Sequence, residues 1–289
     1  MSQTTSAALR SFFSEMIYAF SRNKISWIGL VLLVLMILMA LLAPVLSPYN
    51  PVEQHIIDRF KAPGVKYWLG TDEYGRDILS RIIWGSRISL TVGTISVLLG
   101  MLIGGVLGIF AGYRGGYWDN LIMRVMDVFM SIPTLLMGLF VVAALGPNLV
   151  NLILAIALTV APRFARIARA PTVSIKERDY IEACRAMGFS DRRIMFVHIL
   201  PNILGDILVM GSLWIATAVR IEASLSFIGL GVPPPIPSWG GMVREGFEKI
   251  LDASWVSIFP GAFILMTVFA FNLLGDGLRD VIDPKLKES

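Results

Sequence analysis

Soft donors are almost missing from this sequence, which has two histidines, His55 and His198, and one cysteine, Cys184, among 289 residues. A single cysteine forms no internal disulfide and no thiolate metal site, so disulfide and cysteine-metal chemistry are excluded. No His-Glu-x-x-His stretch is present, and no serine, aspartate or histidine stands at a nucleophile-and-base spacing. Charge is also scarce. Asp, Glu, Lys and Arg make up 16 % of the chain, against about 25 % in an ordinary soluble domain. The net charge of +4 comes from scattered arginines, whereas a nucleic-acid binder needs a clustered basic face. No Gly-x-x-x-x-Gly-Lys-Ser/Thr stretch occurs, so the chain has no P-loop with which to hold ATP. Internal repeats and low-complexity segments are absent too. The one local bias is Pro233-Pro234-Pro235 with Pro237, a stiff extended stretch.

Apolar residues fill the space, at 55 % of the chain with a mean hydropathy of +0.70. That balance predicts an all-α polytopic membrane protein, since a crossing helix needs about 20 apolar residues. Charge-free stretches mark a first span at 26–46, a second at 88–113 and a 35-residue run at 128–162. The last is too long for one crossing, and Gly146-Pro147-Asn148 divides it into two. A fifth span at 203–230 is interrupted by Arg220 and Glu222, and a sixth covers 253–274. Six crossings put both termini on one side. Sixteen Lys and Arg residues fall on that side and eight on the other, which makes the termini cytoplasmic by the positive-inside rule. Residues 1–25 then form a cytoplasmic tail, 47–87 an extracytoplasmic loop, 88–278 a five-helix core and 279–289 a second tail. The polar stretch before the first span is longer than a signal-peptide n-region, so an uncleaved anchor is expected. His55 lies outside and His198 inside, which leaves no histidine pair.

A cytoplasmic segment at 170–201 breaks into two short helices at Gly188. Glycine there is suited to a left-handed helix end, with Phe189 folding back and Ser190 capping the next helix. On the first helix Tyr180, Ala183, Cys184 and Met187 share one face, and Arg178, Glu182 and Arg185 another. Periodicity alone leaves two readings open, a helix lying on lipid headgroups and a helix docked on a partner.

The order Glu182-Ala183-Cys184, three residues, Gly188, nine residues, His198-Ile199-Leu200-Pro201 resembles the cytoplasmic signature of permease subunits in binding-protein-dependent ABC importers. That family's pattern reads Glu-Ala-Ala, three residues, Gly, nine residues, Ile, any residue, Leu-Pro. Cys184 stands for its second alanine and His198 for its isoleucine. The stretches Leu69-Gly70-Thr71-Asp72-Glu73-Tyr74-Gly75-Arg76-Asp77 and Leu225-Ser226-Phe227-Ile228-Gly229-Leu230-Gly231 narrow the resemblance to the C-type permease of the peptide and nickel branch. The resemblance implies a type I importer fold with a cytoplasmic coupling helix. It also implies a second permease, an unlike chain in this branch, two ATPases that carry ATP and Mg, and an extracytoplasmic binding protein. Tyr180, Glu182, Ala183, Cys184, Met187, Gly188, Leu200 and Pro201 would then couple to the ATPase. Peptides are the expected cargo, with a nickel chelate, an opine or a sugar as alternatives.

Asp72, Arg76, Asp77, Arg81 and Arg87 form a mixed-charge cluster before the second span. It reads either as a solvated surface of weak ion pairs or, on the resemblance, as a docking site or gate. Trp239 suits an anchor at headgroup depth or a cap on the path. Arg124 and Asp127 are spaced to pair on one helix face. Arg220 and Glu222, two residues apart, point in different directions, so each is expected to pair with another helix or subunit and to line the path. A secondary carrier or a membrane enzyme is the competing class, but repeat symmetry and a catalytic constellation are both missing.

Overall fold

The computed structural model describes residues 24–282, so the two expected tails lie outside the described residues except for their innermost few. Among the described residues nine helices carry the fold: α1 (Lys24–Leu41), α2 (Ile78–Arg114), α3 (Gly116–Ser131), α4 (Thr134–Leu145), α5 (Leu149–Ile175), α6 (Asp179–Ala186), α7 (Asp191–Ile228), α8 (Trp239–Phe247) and α9 (Trp255–Ile282). A single turn, Ala43–Leu46, follows α1, and no strand occurs among the described residues beyond an isolated bridge between Thr71 and Asp77. By length and composition α2, α5, α7 and α9 are able to cross a membrane, and α3 with α4, bent by 92°, adds a fifth if the pair is counted as one span, so the described residues hold four or five such spans against the six expected. The apolar part of α1, Ser26–Leu41, is shorter than these.

Several boundaries differ from the sequence expectation: α1 ends at Leu41, the stretch expected as a third span breaks between Ser131 and Thr134, α7 starts at Asp191, and α2 and α5 differ most. Helix α2 begins at Ile78 rather than 88, because Asp77 caps it, its carboxylate accepting from the Ser80 N–H at 2.8 Å and the Ser80 hydroxyl at 2.6 Å. Charge scarcity marks where a helix meets lipid and is silent on where the helix ends. At 37 residues and about 1.5 Å per residue, α2 exceeds the ~30 Å hydrocarbon core by more than 20 Å. Helix α5 runs through Pro162 and Pro171 to Ile175, so the first residues of the expected coupling segment belong to it. Each proline removes one backbone donor, yet the packing against α2 continues past both.

That packing rests on a ladder of small residues. Along α2, Gly100, Gly104, Gly108 and Gly112 recur every fourth position and face Ala157, Ala161, Ala165 and Arg169, spaced the same way on α5. A Cβ on Gly104 would lie 2.1 Å from the Ala161 carbonyl oxygen, and one on Gly108 2.2 Å from that of Ala165. Inside a bilayer, lipid tails are as apolar as leucine, so helices associate through such close backbone packing rather than through hydrophobic burial.

Two apolar clusters follow. The larger joins α2, α5, α6 and α7 through Ile109, Ile156, Phe164, Ile181, Ile194 and Ile199, all buried. The smaller joins α1, the outer end of α2, α8 and α9 through Leu33, Met36, Ile82, Trp239, Met242 and Phe271. The first therefore carries the segment at 170–201, and the second carries the loop at 47–87.

Candidate functional site: a docked cytoplasmic helix and a sealed outer loop

Asp179 and Glu182 in the first turn of α6 and Arg185 in its last complement the helix dipole. The helix ends where expected. Gly188 has φ = 75°, its N–H donates to Arg185 O at 2.9 Å, and the Phe189 N–H donates to Cys184 O at 3.1 Å. These bonds close a Schellman-type stop that only a residue tolerant of positive φ accepts without strain. The expected Ser190 side-chain cap is not made, although the Ser190 backbone takes the extended cap conformation.

The faces of α6 are divided differently from the sequence expectation. Ile181 and Cys184 point into the larger core, whereas Tyr180 is 39 % and Met187 64 % exposed, with Ala183, Glu182 and Arg185 also outward. Cys184 therefore belongs to the anchoring face, and the outward face mixes apolar and charged groups. Helical phase placed Cys184 with Tyr180, Ala183 and Met187, whereas the core took Cys184 together with Ile181, which the sequence reading left out.

Side chains fix this segment to the transmembrane helices. The Tyr113 hydroxyl donates to Asp191 at 2.9 Å, Arg114 pairs with Asp191 at 2.9 Å, and the Arg185 guanidinium lies 5.5 Å from the Tyr113 ring centre. Arg169 on α5 forks onto both carboxylate oxygens of Asp119 on α3. At the head of α7 a π-turn covers Ile194–Ile199, and the Leu200 N–H reaches back to Met195 O. Pro201 lacks an N–H and crowds the preceding turn, and the wider turn absorbs that conflict. Leu200 is half-buried and Pro201 exposed. His198, in place of the family's isoleucine, stacks on Phe189 with ring centres 5.7 Å apart, and Arg193 covers that phenylalanine's ring at 4.2 Å.

On the outer side, four of the five cluster residues are buried rather than displayed. Asp72 accepts from Arg76 Nε at 2.6 Å and from Arg81 Nη1, and its other oxygen accepts from the Tyr74 and Arg76 N–H groups at 2.9 and 3.0 Å. Both arginines also reach Glu245 on α8, Arg76 at 2.9 Å and Arg81 at 2.7 Å. Glu245 escaped the sequence reading. Its one signal there is that it stands in the other outer loop, where a charge partner for two arginines has to be sought. Asp77 is spent on the α2 cap, and burial pushes its carboxyl up. Arg87 remains exposed, its guanidinium 5.1 Å from the Trp84 ring centre. Nearby, hydrogen bonds from Lys61, Lys66 and Tyr67 hold the Asp58 carboxyl well below its ordinary range.

Trp239 is fully buried rather than at headgroup depth. Its indole N–H donates to Ile82 O at 3.0 Å, and its ring lies against Gly85, where a Cβ would come within 3.2 Å. Glu222 is also sealed, one oxygen accepting from the Ser226 hydroxyl at 2.7 Å and the other without a hydrogen-bond partner. Arg220 points outward and bonds to Thr217 at 3.1 Å. Neither meets an opposite charge among the described residues. Asp127 pairs with Arg166 across to α5, not with Arg124 on its own helix.

This arrangement corresponds to known proteins. The family model described as a binding-protein-dependent transport system inner membrane component matches residues 104–288, and that for the N-terminal transmembrane domain of oligopeptide transport permease C matches residues 11–63. The dipeptide transport system permease protein of Alkalihalophilus pseudofirmus is 40 % identical over 94 % of this chain and 90 % of its own. The glutathione transport system permease protein of Pectobacterium atrosepticum is 47 % identical over 85 % of this chain and 82 % of its own. Among solved structures, a methionine ABC transporter in an inward-facing conformation aligns with a TM-score of 0.58 at 19 % identity, covering 71 % of this chain and 98 % of that one, which establishes the shared fold. Matched over more than half its length by the first family model, the chain belongs to the inner-membrane components of binding-protein-dependent transport systems and is a multi-pass permease subunit of an ABC importer.

Proposed function

We propose that this chain forms half of a transmembrane path for short peptides, beside a second, unlike permease, and that an extracytoplasmic binding protein delivers them. Two cytoplasmic ATPases bind ATP and Mg, and this chain binds no cofactor and catalyses no reaction. Both termini are cytoplasmic. The peptide assignment is supported by relatives named for dipeptide and oligopeptide transport at 40 % and 39 % identity.

The observation that carries the coupling role is the split of α6. Ile181 and Cys184 lock it into the core that holds α2, α5 and α7, while Tyr180, Ala183 and Met187 face outward. A partner shifts a two-state bundle only by its differential affinity for the two states. A helix held by core contacts and ion pairs conveys that difference to the spans, where a loose loop would dissipate it. Leu200 and Pro201 directly follow the wide turn through which α6 movement reaches the rest of α7.

Uptake of radiolabelled dipeptide into proteoliposomes tests the reading. The complete complex with binding protein and ATP is expected to accumulate peptide, and omission of the ATPases is expected to abolish accumulation. Uphill transport by this chain alone would refute the proposal.

A further inference from the structure

The outer face carries a cavity of about 910 Å³ between the segment after α1, the protruding end of α2 and the proline-rich loop. Its walls are apolar and stiff. Pro44, Pro48, Pro51 and Pro237 contribute to them, together with Trp84 and Ile88. One wall is also pinned by hydrogen bonds. The Ser47 hydroxyl donates to Tyr49 O at 2.6 Å, the Tyr49 N–H donates to the Ser80 hydroxyl at 3.0 Å, and the Tyr49 hydroxyl donates to Lys66 O at 3.0 Å. Such a pocket is formed before a ligand arrives, and its size falls in the ordinary range for small-molecule sites.

Arg87 is the one charged residue in its lining. The contrast with its neighbours is informative. Arg76 and Arg81 are each taken up by Asp72 and Glu245, whereas Arg87 meets no carboxylate within 4 Å among the described residues and rests on Trp84. A guanidinium held against an indole beside an apolar wall presents its remaining donors in a planar fork, the geometry that a carboxylate matches.

We propose that this cavity is a peptide subsite, in which Arg87 receives the terminal carboxylate of the incoming peptide and the Trp84 and Ile88 wall receives an apolar side chain. The inference rests on the peptide-transport reading. It adds a recognition step in the permease itself, made before the peptide enters the path.

Equilibrium binding to the whole permease and ATPase complex in phosphatidylcholine nanodiscs, without the soluble binding protein, tests it. The probes are tritiated alanyl-phenylalanine and its C-terminal amide. The free acid is expected to bind roughly ten-fold tighter than the amide, as a charge-assisted contact requires. Arg87→Gln is expected to lower the acid to the level of the amide, and Arg87→Lys to keep part of the preference. Equal binding of acid and amide by the unaltered complex, or an intact preference in Arg87→Gln, would overturn the subsite. Displacement of the peptide by phosphatidylglycerol in an Arg87-dependent manner would assign the guanidinium to lipid phosphate and overturn it too. Peptide uptake by a complex with no such preference sinks this inference alone, whereas absence of any peptide binding or uptake sinks the proposed function and the subsite together.

Discussion

The outer charged loop and the cytoplasmic helix present the same kind of sequence signal, a short run of acids and bases beside an apolar span, and the structure treats them oppositely. Asp72, Arg76 and Arg81 are at most 4 % exposed at their side chains and are satisfied by one another and by Glu245. Glu182, Arg178 and Arg185 face outward. Buried charges have to be neutralised inside the chain, because an unpaired one costs several kcal/mol. Exposed charges are left available to a partner. The difference teaches that the first cluster is a clasp between the loop and α8, whereas the charges of α6 stay at the surface.

The largest test of this contrast is Arg81→Met. It leaves Asp72 and Glu245 short of a cation in a dry site, and about 3–5 kcal/mol of stability is expected to be lost. Thermal unfolding of the purified complex measures it, and a loss below about 1 kcal/mol would show the clasp to be solvated. Next is Gly188, around which a new Cβ would meet open space. Replacement there acts through backbone strain alone, so Gly188→Ala is expected to cost about 1–2 kcal/mol, with Gly188→Asn milder and Gly188→Val worse. Equal melting temperatures for Asn and Val would remove that account.

Glu182→Lys sharpens the comparison from the other side. An exposed change of this kind is expected to alter stability by no more than about 0.5 kcal/mol, yet to lower ATP-driven uptake roughly ten-fold through weakened coupling. Unchanged uptake at unchanged ATP hydrolysis would detach α6 from the motor. Acid titration gives a smaller effect on the outer side. The folded Asp58 carboxyl lies below the ordinary 3.8, so its contribution is complete above that pH. It is lost as the medium falls below that value, since the unfolded chain takes up the proton first. Asp58→Asn is expected to flatten this acid limb in a pH series of melts. Smallest is Arg166→Ala, where the exposed pair with Asp127 is worth about 0–1 kcal/mol.

Much of the architecture was legible because lipid imposes a strong rule. Apolar stretches located α1, α5, α7 and α9, and Gly146-Pro147-Asn148 located the turn before α5. The left-handed stop at Gly188 was legible too, since few residues other than glycine hold φ = 75° at low cost. The early start of α2 was not, because Arg81 looks like loop until Glu245 is known to cover it. Trp239 was placed at headgroup depth because its partners, Ile82 and Gly85, lie more than 150 positions away in the chain. The Gly100, Gly104, Gly108 and Gly112 ladder stood in plain view at a four-residue period and went unread, since glycine is ordinarily taken for a turn.

Local rules written along the chain, namely hydrophobic length, helix stops and caps, thus sufficed for the helical class and for the family to which the chain belongs. Which charges are clasped and which are offered depended on contacts between distant segments. Arg81 and Arg87 both stand in a Ser-Arg-Ile triplet, yet one is buried and paired and the other exposed; burial multiplies the cost of an unpaired charge, and burial is a property of the packed bundle.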